Sequence, residues 1–128
     1  MSALTLWMRI VGALYLFLFV AATFLRLPVK AEGPKGMLEE AAAGNAIARY
    51  ALDTWVILGL YYLVIGASLI VFSITRVEVR SLVHAVLGLE VAGIAVDVFK
   101  LTRGYPRTVM SVWIVIHSTI IATGVAAL

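Results

Sequence analysis

The stretch SLVHAVLGLEVAGIAVDVFK, Ser81–Lys100, decides how this chain is read. At about 1.5 Å of rise per residue it makes a helix of roughly 30 Å, the thickness of a bilayer's hydrocarbon core. Yet it carries His84, Glu90 and Asp97. A charged side chain near a membrane centre costs a few kcal/mol, roughly 3 for Asp, so a helix that keeps one needs a partner, a wet cavity or a task for it.

The rest of the chain supports a membrane reading. Of its 128 residues 63% are hydrophobic and 13% charged, with a mean hydropathy of +1.07, whereas soluble domains are about 45–50% apolar and about 25% charged. Spans of about 20 residues consume most of this length, which leaves one domain over 1–128 and no room for a soluble catalytic domain. The net charge of +3 and pI near 9.5 come from basic residues that flank apolar runs. That pattern suits lipid headgroups and argues against nucleic acid. There is no cysteine, which excludes disulfides, thiol catalysis and thiolate metal sites and leaves the redox compartment unread.

Four spans follow. The first runs from Leu4 to about Leu27 and stops at Pro28; its apolar part, Ile10–Leu25, exceeds a signal-peptide core of about 7–15 residues, so it is read as a retained span. The connection Val29–Tyr50 contains a Gly-Pro break and then an Ala- and Glu-rich segment, expected to form a helix at the interface or a helical extension of the second span. The second span, Asp53–Thr75, is joined to the third, Ser81–Phe99, only by RVEVR, Arg76–Arg80, so the two form an antiparallel hairpin. After Lys100–Arg107 the fourth span fills the remainder. The expected fold is all-α: an integral membrane bundle of four transmembrane helices with short second and third connections and a longer, partly helical first one. Basic residues in the first and third connections outnumber Arg9, Arg76 and Arg80, which by the positive-inside tendency turns both termini away from the cytoplasm.

Trp7, Trp55 and Trp113 lie near the starts of three spans, where an indole anchors at the headgroup layer. Ser81, Ala85, Gly88 and Ala92, with Ala95, recur at alternating spacings of four and three on the third span, and Ser111, Ser118 and Ala122 offer a similar row on the fourth. Small residues let helix backbones approach in lipid, so a close contact through Gly88, Ala92 and Ser118 is expected.

Glu90 and His117 each fall near mid-depth of antiparallel spans, so the two are expected to meet. A clasp between helices, worth about 1 kcal/mol, is favoured over a proton relay or ligand site. Asp97, near a span end and one turn before Lys100, is expected to reach water and pair with that lysine. Asp53 at the same end is read as a helix-start or interface residue, the alternative being a cluster with Asp97 that could in principle attract a cation. His84 is placed among headgroups or beside Arg80. No catalytic signature occurs, and His84, Glu90 and His117 lack a metal-ligand spacing, so no metal, cofactor or catalytic residue is assigned.

The start WMRIVGALYLFLFVAATF, Trp7–Phe24, with its Trp, early Arg and Gly, together with the layout of four short spans, resembles DoxX-like proteins and neighbouring small four-helix families of prokaryotes. The resemblance implies a prokaryotic cytoplasmic membrane and, as a partner class, membrane redox complexes. Three readings of function result. An accessory or scaffolding subunit binding other membrane subunits, or a homo-oligomer, comes first. A small-molecule or proton-coupled transport or binding bundle using Glu90 and His117 comes second. A lipid- or quinone-acting enzyme comes last.

Overall fold

The computed structural model describes residues 1–21, 44, 46–102 and 107–128, with the helix backbone alone over 46–58. Within these residues the chain is all-helical. Four helices are formed: α1 (Ala3–Val20), α2 (Ala46–Ile74), α3 (Arg80–Thr102) and α4 (Arg107–Ala127). Helices α1, α3 and α4 are long and apolar enough to cross a membrane, and α2 has a shorter described apolar run, Gly59–Ile74. The end of the first span and most of the polar connection expected after it lie outside the described residues. The helix α2 is continuous from Ala46, so the residues before Asp53 are helical and lead directly into the stretch expected as the second span.

Local chemistry sets the helix ends. Ser2 caps α1, its Oγ accepting from the Thr5 N–H at 3.1 Å. At the end of α2 the Val77 N–H donates to the Phe72 carbonyl (2.9 Å) and the Arg76 N–H reaches the Ser73 carbonyl (3.4 Å), with Arg76 left-handed at φ 56°. This is a Schellman turn with arginine where glycine is usual. Arg9 of α1 adds a cation at the same helix end, Nη2 donating to the Ser73 carbonyl at 3.2 Å, where the helix dipole is negative. Ser2 also donates to Glu78 in the turn. The N-terminus, the α2–α3 turn and the C-terminus therefore share one end of the bundle, here the near end; the end of α3 and the start of α4 lie at the far end.

Antiparallel neighbours pack as two pairs, α1 with α2 and α3 with α4, and α1 also touches α4. Glycines set both spacings. A Cβ on Gly12 would stand 3.0 Å from the Gly66 carbonyl, and one on Gly124 would stand 2.8 Å from both Leu87 and the Trp7 ring. Between the pairs a core of Leu4, Met8, Val11, Leu69, Val83, Val86 and Ile120 fills the near half.

The tight approach of α3 to α4 does not use the expected row of small residues. Ser81, Ala85, Gly88 and Ala92 are exposed, as are Ser111, Ser118 and Ala122, and a Cβ on Gly88 would meet nothing within 4 Å. Gly93 and Gly124 take that place. Trp7 is likewise no headgroup anchor: it is buried, its indole N–H donating to Thr123 Oγ1 at 3.1 Å.

Candidate functional site

At about 100° per residue, Glu90, Gly93, Asp97 and Lys100 fall along one face of α3. That face is turned inward: Glu90 is 2%, Asp97 7% and Lys100 8% exposed. Opposite them, near the middle of α4, stands His117, also buried. Because Gly93 has no side chain, the imidazole lies against the α3 backbone between the two carboxyl groups. Its Nδ1 is hydrogen-bonded to Glu90 Oε2. Its Nε2 lies 3.2 Å from Asp97 Oδ2, within ion-pair range though off the axis of a hydrogen bond.

The remaining oxygen of Glu90 is satisfied from α1, where the Tyr15 hydroxyl donates to Oε1. Tyr15 in turn meets Tyr62 of α2 edge to face, with centroids 4.9 Å apart and planes at 65°. Trp113, one turn before His117 on α4, has its ring centroid 6.1 Å from the imidazole. All four helices thus reach one centre.

The proton count gives this centre its chemistry. Carboxylate oxygens and bare imidazole nitrogens are all acceptors, so stable N···O contacts need a proton between each pair. With both ring nitrogens protonated, a single positive charge faces two carboxylates. The set moves between one net negative charge and neutrality by gaining one proton, with no atom moving far. Among the described residues no group of three His, Asp or Glu side chains is disposed to hold a metal ion.

The structure brings Glu90, Asp97 and His117 together and leaves His84 apart. His84 is exposed, its Nδ1–H donating to the Arg80 carbonyl at 2.7 Å. The expectation that Asp97 reaches water is corrected: it is buried against His117, so three of the four ionisable groups of Ser81–Lys100, Lys100 among them, bear burial and only His84 does not. Asp53 and Trp55 belong to the part of α2 whose side chains lie outside the described residues. Sequence reasoning missed Tyr15, Tyr62 and Gly93. The hydroxyl of Tyr15 within an otherwise apolar run was the available signal for the first, and the i,i+3 spacing of Gly93 from Glu90 for the last. No protein-family profile, curated protein or solved structure matches the chain.

Proposed function

We propose that this chain is a small integral membrane bundle, with α2 as a fourth span, that binds and passes protons at its centre in a proton-coupled transport or binding role in a prokaryotic cytoplasmic membrane. The observation that carries this reading is the imbalance at His117, one imidazole held between two buried carboxyl groups. A clasp needs one acid and one base. The second acid adds burial cost without adding a helix to the contact, since Glu90 and Asp97 both belong to α3. Ionisable groups inside a membrane that exceed structural need mark sites of proton or ligand handling.

The test is proton flux in proteoliposomes enclosing a pH-sensitive dye. An imposed pH gradient should collapse faster with the unaltered chain than in empty vesicles, and Glu90→Gln, which keeps a hydrogen-bonding side chain, should return the rate to that of empty vesicles. Equal rates in all three would sink the proposal.

A specific observation favours a second reading, the accessory subunit. The outward row Ser81, Ala85, Gly88 and Ala92 presents a flat face suited to another helix, and a DoxX-like layout would make a redox complex the partner. Purification in mild detergent with a stoichiometric membrane partner would support it.

A further inference from the structure

Among the described residues the inward face of α3 is polar from the centre toward the far end and apolar toward the near end, while on α4 the fully buried Met110 lies two turns from His117 on the far-end side. Toward the far end the inward face of α3 continues from Glu90 through Asp97 to Lys100, about 15 Å along the helix. Lys100 is buried within the last turn of α3, two residues short of its end at Thr102. Toward the near end the same face carries Val86 and Val83, both fully buried.

Every described helix contributes to that apolar half. Met8 and Val11 come from α1, Leu69 from α2, Val83 and Val86 from α3 and Ile120 from α4, none more than 6% exposed. Buried water needs two to four polar partners, and these side chains offer none. Arg9, in the same stretch of α1, reaches toward the near end, to the Ser73 carbonyl. Ser73 gives its hydroxyl to the Ile70 carbonyl, at 2.8 Å, on its own helix. The buried hydroxyl of Thr5 lies further toward the near end, one turn after the cap.

We infer that the centre exchanges protons with one face of the membrane only, the face at the far end, by way of Asp97 and the buried arm that ends at Lys100. The inference rests on the proton-handling reading above and adds the direction of access. Starting from the neutral imidazole with its proton on Nδ1, a proton arriving from water at that face is taken up by Asp97 Oδ2 and passes to the bare Nε2 of His117, 3.2 Å away. The imidazolium so formed gives the proton on Nδ1 to Glu90 Oε2, each transfer conserving the summed charge of donor and acceptor, and the ring, left protonated at Nε2, regains its starting tautomer before the next proton. Beyond Glu90, Tyr15 offers a hydroxyl, and past it toward the near end stands the apolar layer. Release on the other side therefore requires the bundle to change shape, as a carrier does and an open pore does not.

The absence of cysteine from the chain makes the test direct. Single cysteines are placed at Asp97 and Lys100 in the polar arm and at Val83 and Val86 in the apolar layer. Two exposed positions, Val77 and Thr108, mark the near and far ends. Each variant, in proteoliposomes, is treated with a small charged thiosulfonate from outside and then after permeabilisation. The cysteines at 97 and 100 should be labelled with the sidedness of that at 108. Those at 83 and 86 should lose labelling from both sides and recover it only on unfolding in detergent. Labelling at 86 with the sidedness of 77 would overturn the inference, as would silence at both 97 and 100.

Amide hydrogen exchange on the unaltered chain supplies an independent reading if a variant misfolds. Peptides over 94–102 should exchange faster than those over 83–90, and the reverse order would overturn the proposal. Sided labelling without proton flux would sink the functional reading alone, and flux with labelling from both faces would sink only this inference.

Discussion

Gly93 lies so close to His117 that a Cβ at position 93 would stand 2.8 Å from the imidazole Cε1 and 2.9 Å from Nε2. The ring occupies the volume a side chain would fill. It is held there by a carboxyl group one turn away on either side, so it has no lateral escape.

Gly93→Ala should therefore lift the ring away from α3 and lengthen its contacts with both Glu90 and Asp97. Overpacking of this kind costs about 1–3 kcal/mol, and here it also disturbs a buried ionic contact. Thermal unfolding in detergent should show the loss. Wild-type stability in the Gly93→Ala variant would mean that the ring relaxes without penalty and that Gly93 does not set its place.

Gly88→Leu should do the opposite of what the row of small residues suggests. With nothing within 4 Å of a Cβ there, the substitution should stay within about 0.5 kcal/mol of the parent, as exposed changes do. A large loss of stability in the isolated monomer would place Gly88 in a helix contact after all. Loss of an oligomer or partner with unchanged monomer stability would instead locate the docking face of the accessory-subunit reading.

The contrast between Gly88 and Gly93 shows what was legible in the sequence. Residues two apart on a helix point about 200° apart, so Glu90 and its neighbours Gly88 and Ala92 cannot all face α4. The apolar row and the buried acid made rival claims on one interface. The acid wins because a carboxyl group facing lipid costs more than an imperfect small-residue contact. Helix number and the Glu90–His117 depth match were readable because they follow from run length and rise per residue. The burial of Asp97 was not, because its distance from the span end suggested water, while its rotation about α3, the same as that of Glu90, decides the matter. Trp7 was misplaced for a similar reason: position along a span says nothing about which side of the helix an indole occupies, and Gly124 opens a slot for it.

His117→Ala should be far more damaging than Glu90→Gln. Removing the imidazole leaves two carboxyl groups buried on one face of α3 without their shared partner, and breaking such a contact costs about 3–5 kcal/mol. The amide of Gln retains hydrogen-bonding capacity toward both Tyr15 and His117. Chemical or thermal unfolding of both variants in the same detergent should rank them in that order, and equal losses would show that the charge of Glu90, rather than its hydrogen bonds, holds the centre together.

Tyr15→Phe isolates the contribution of α1. The edge contact with Tyr62 survives, since it uses the ring, but Glu90 Oε1 loses its donor. A buried acceptor left unpaired costs about 1–3 kcal/mol. In a double-mutant cycle with Glu90→Gln the two changes should be non-additive, with a coupling of about 0.5–3 kcal/mol. Strict additivity would mean that the hydroxyl and the carboxyl group do not act together.

Arg76→Gly should stabilise the chain. Arg76 holds φ 56° to let the α2–α3 turn close its two Schellman hydrogen bonds, and a residue with a Cβ pays about 1–2 kcal/mol for that conformation. Glycine removes the strain but adds freedom to the unfolded chain worth about 0.5–1 kcal/mol, which leaves a net gain of about 0.5–1 kcal/mol. Arg76→Ala separates backbone from charge. Alanine keeps the Cβ and its strain, so it should give no gain while removing the same guanidinium. If alanine and glycine stabilise equally, the benefit comes from thinning the positive charge shared with Arg9 and Arg80 at the near end, and the left-handed turn is not strained.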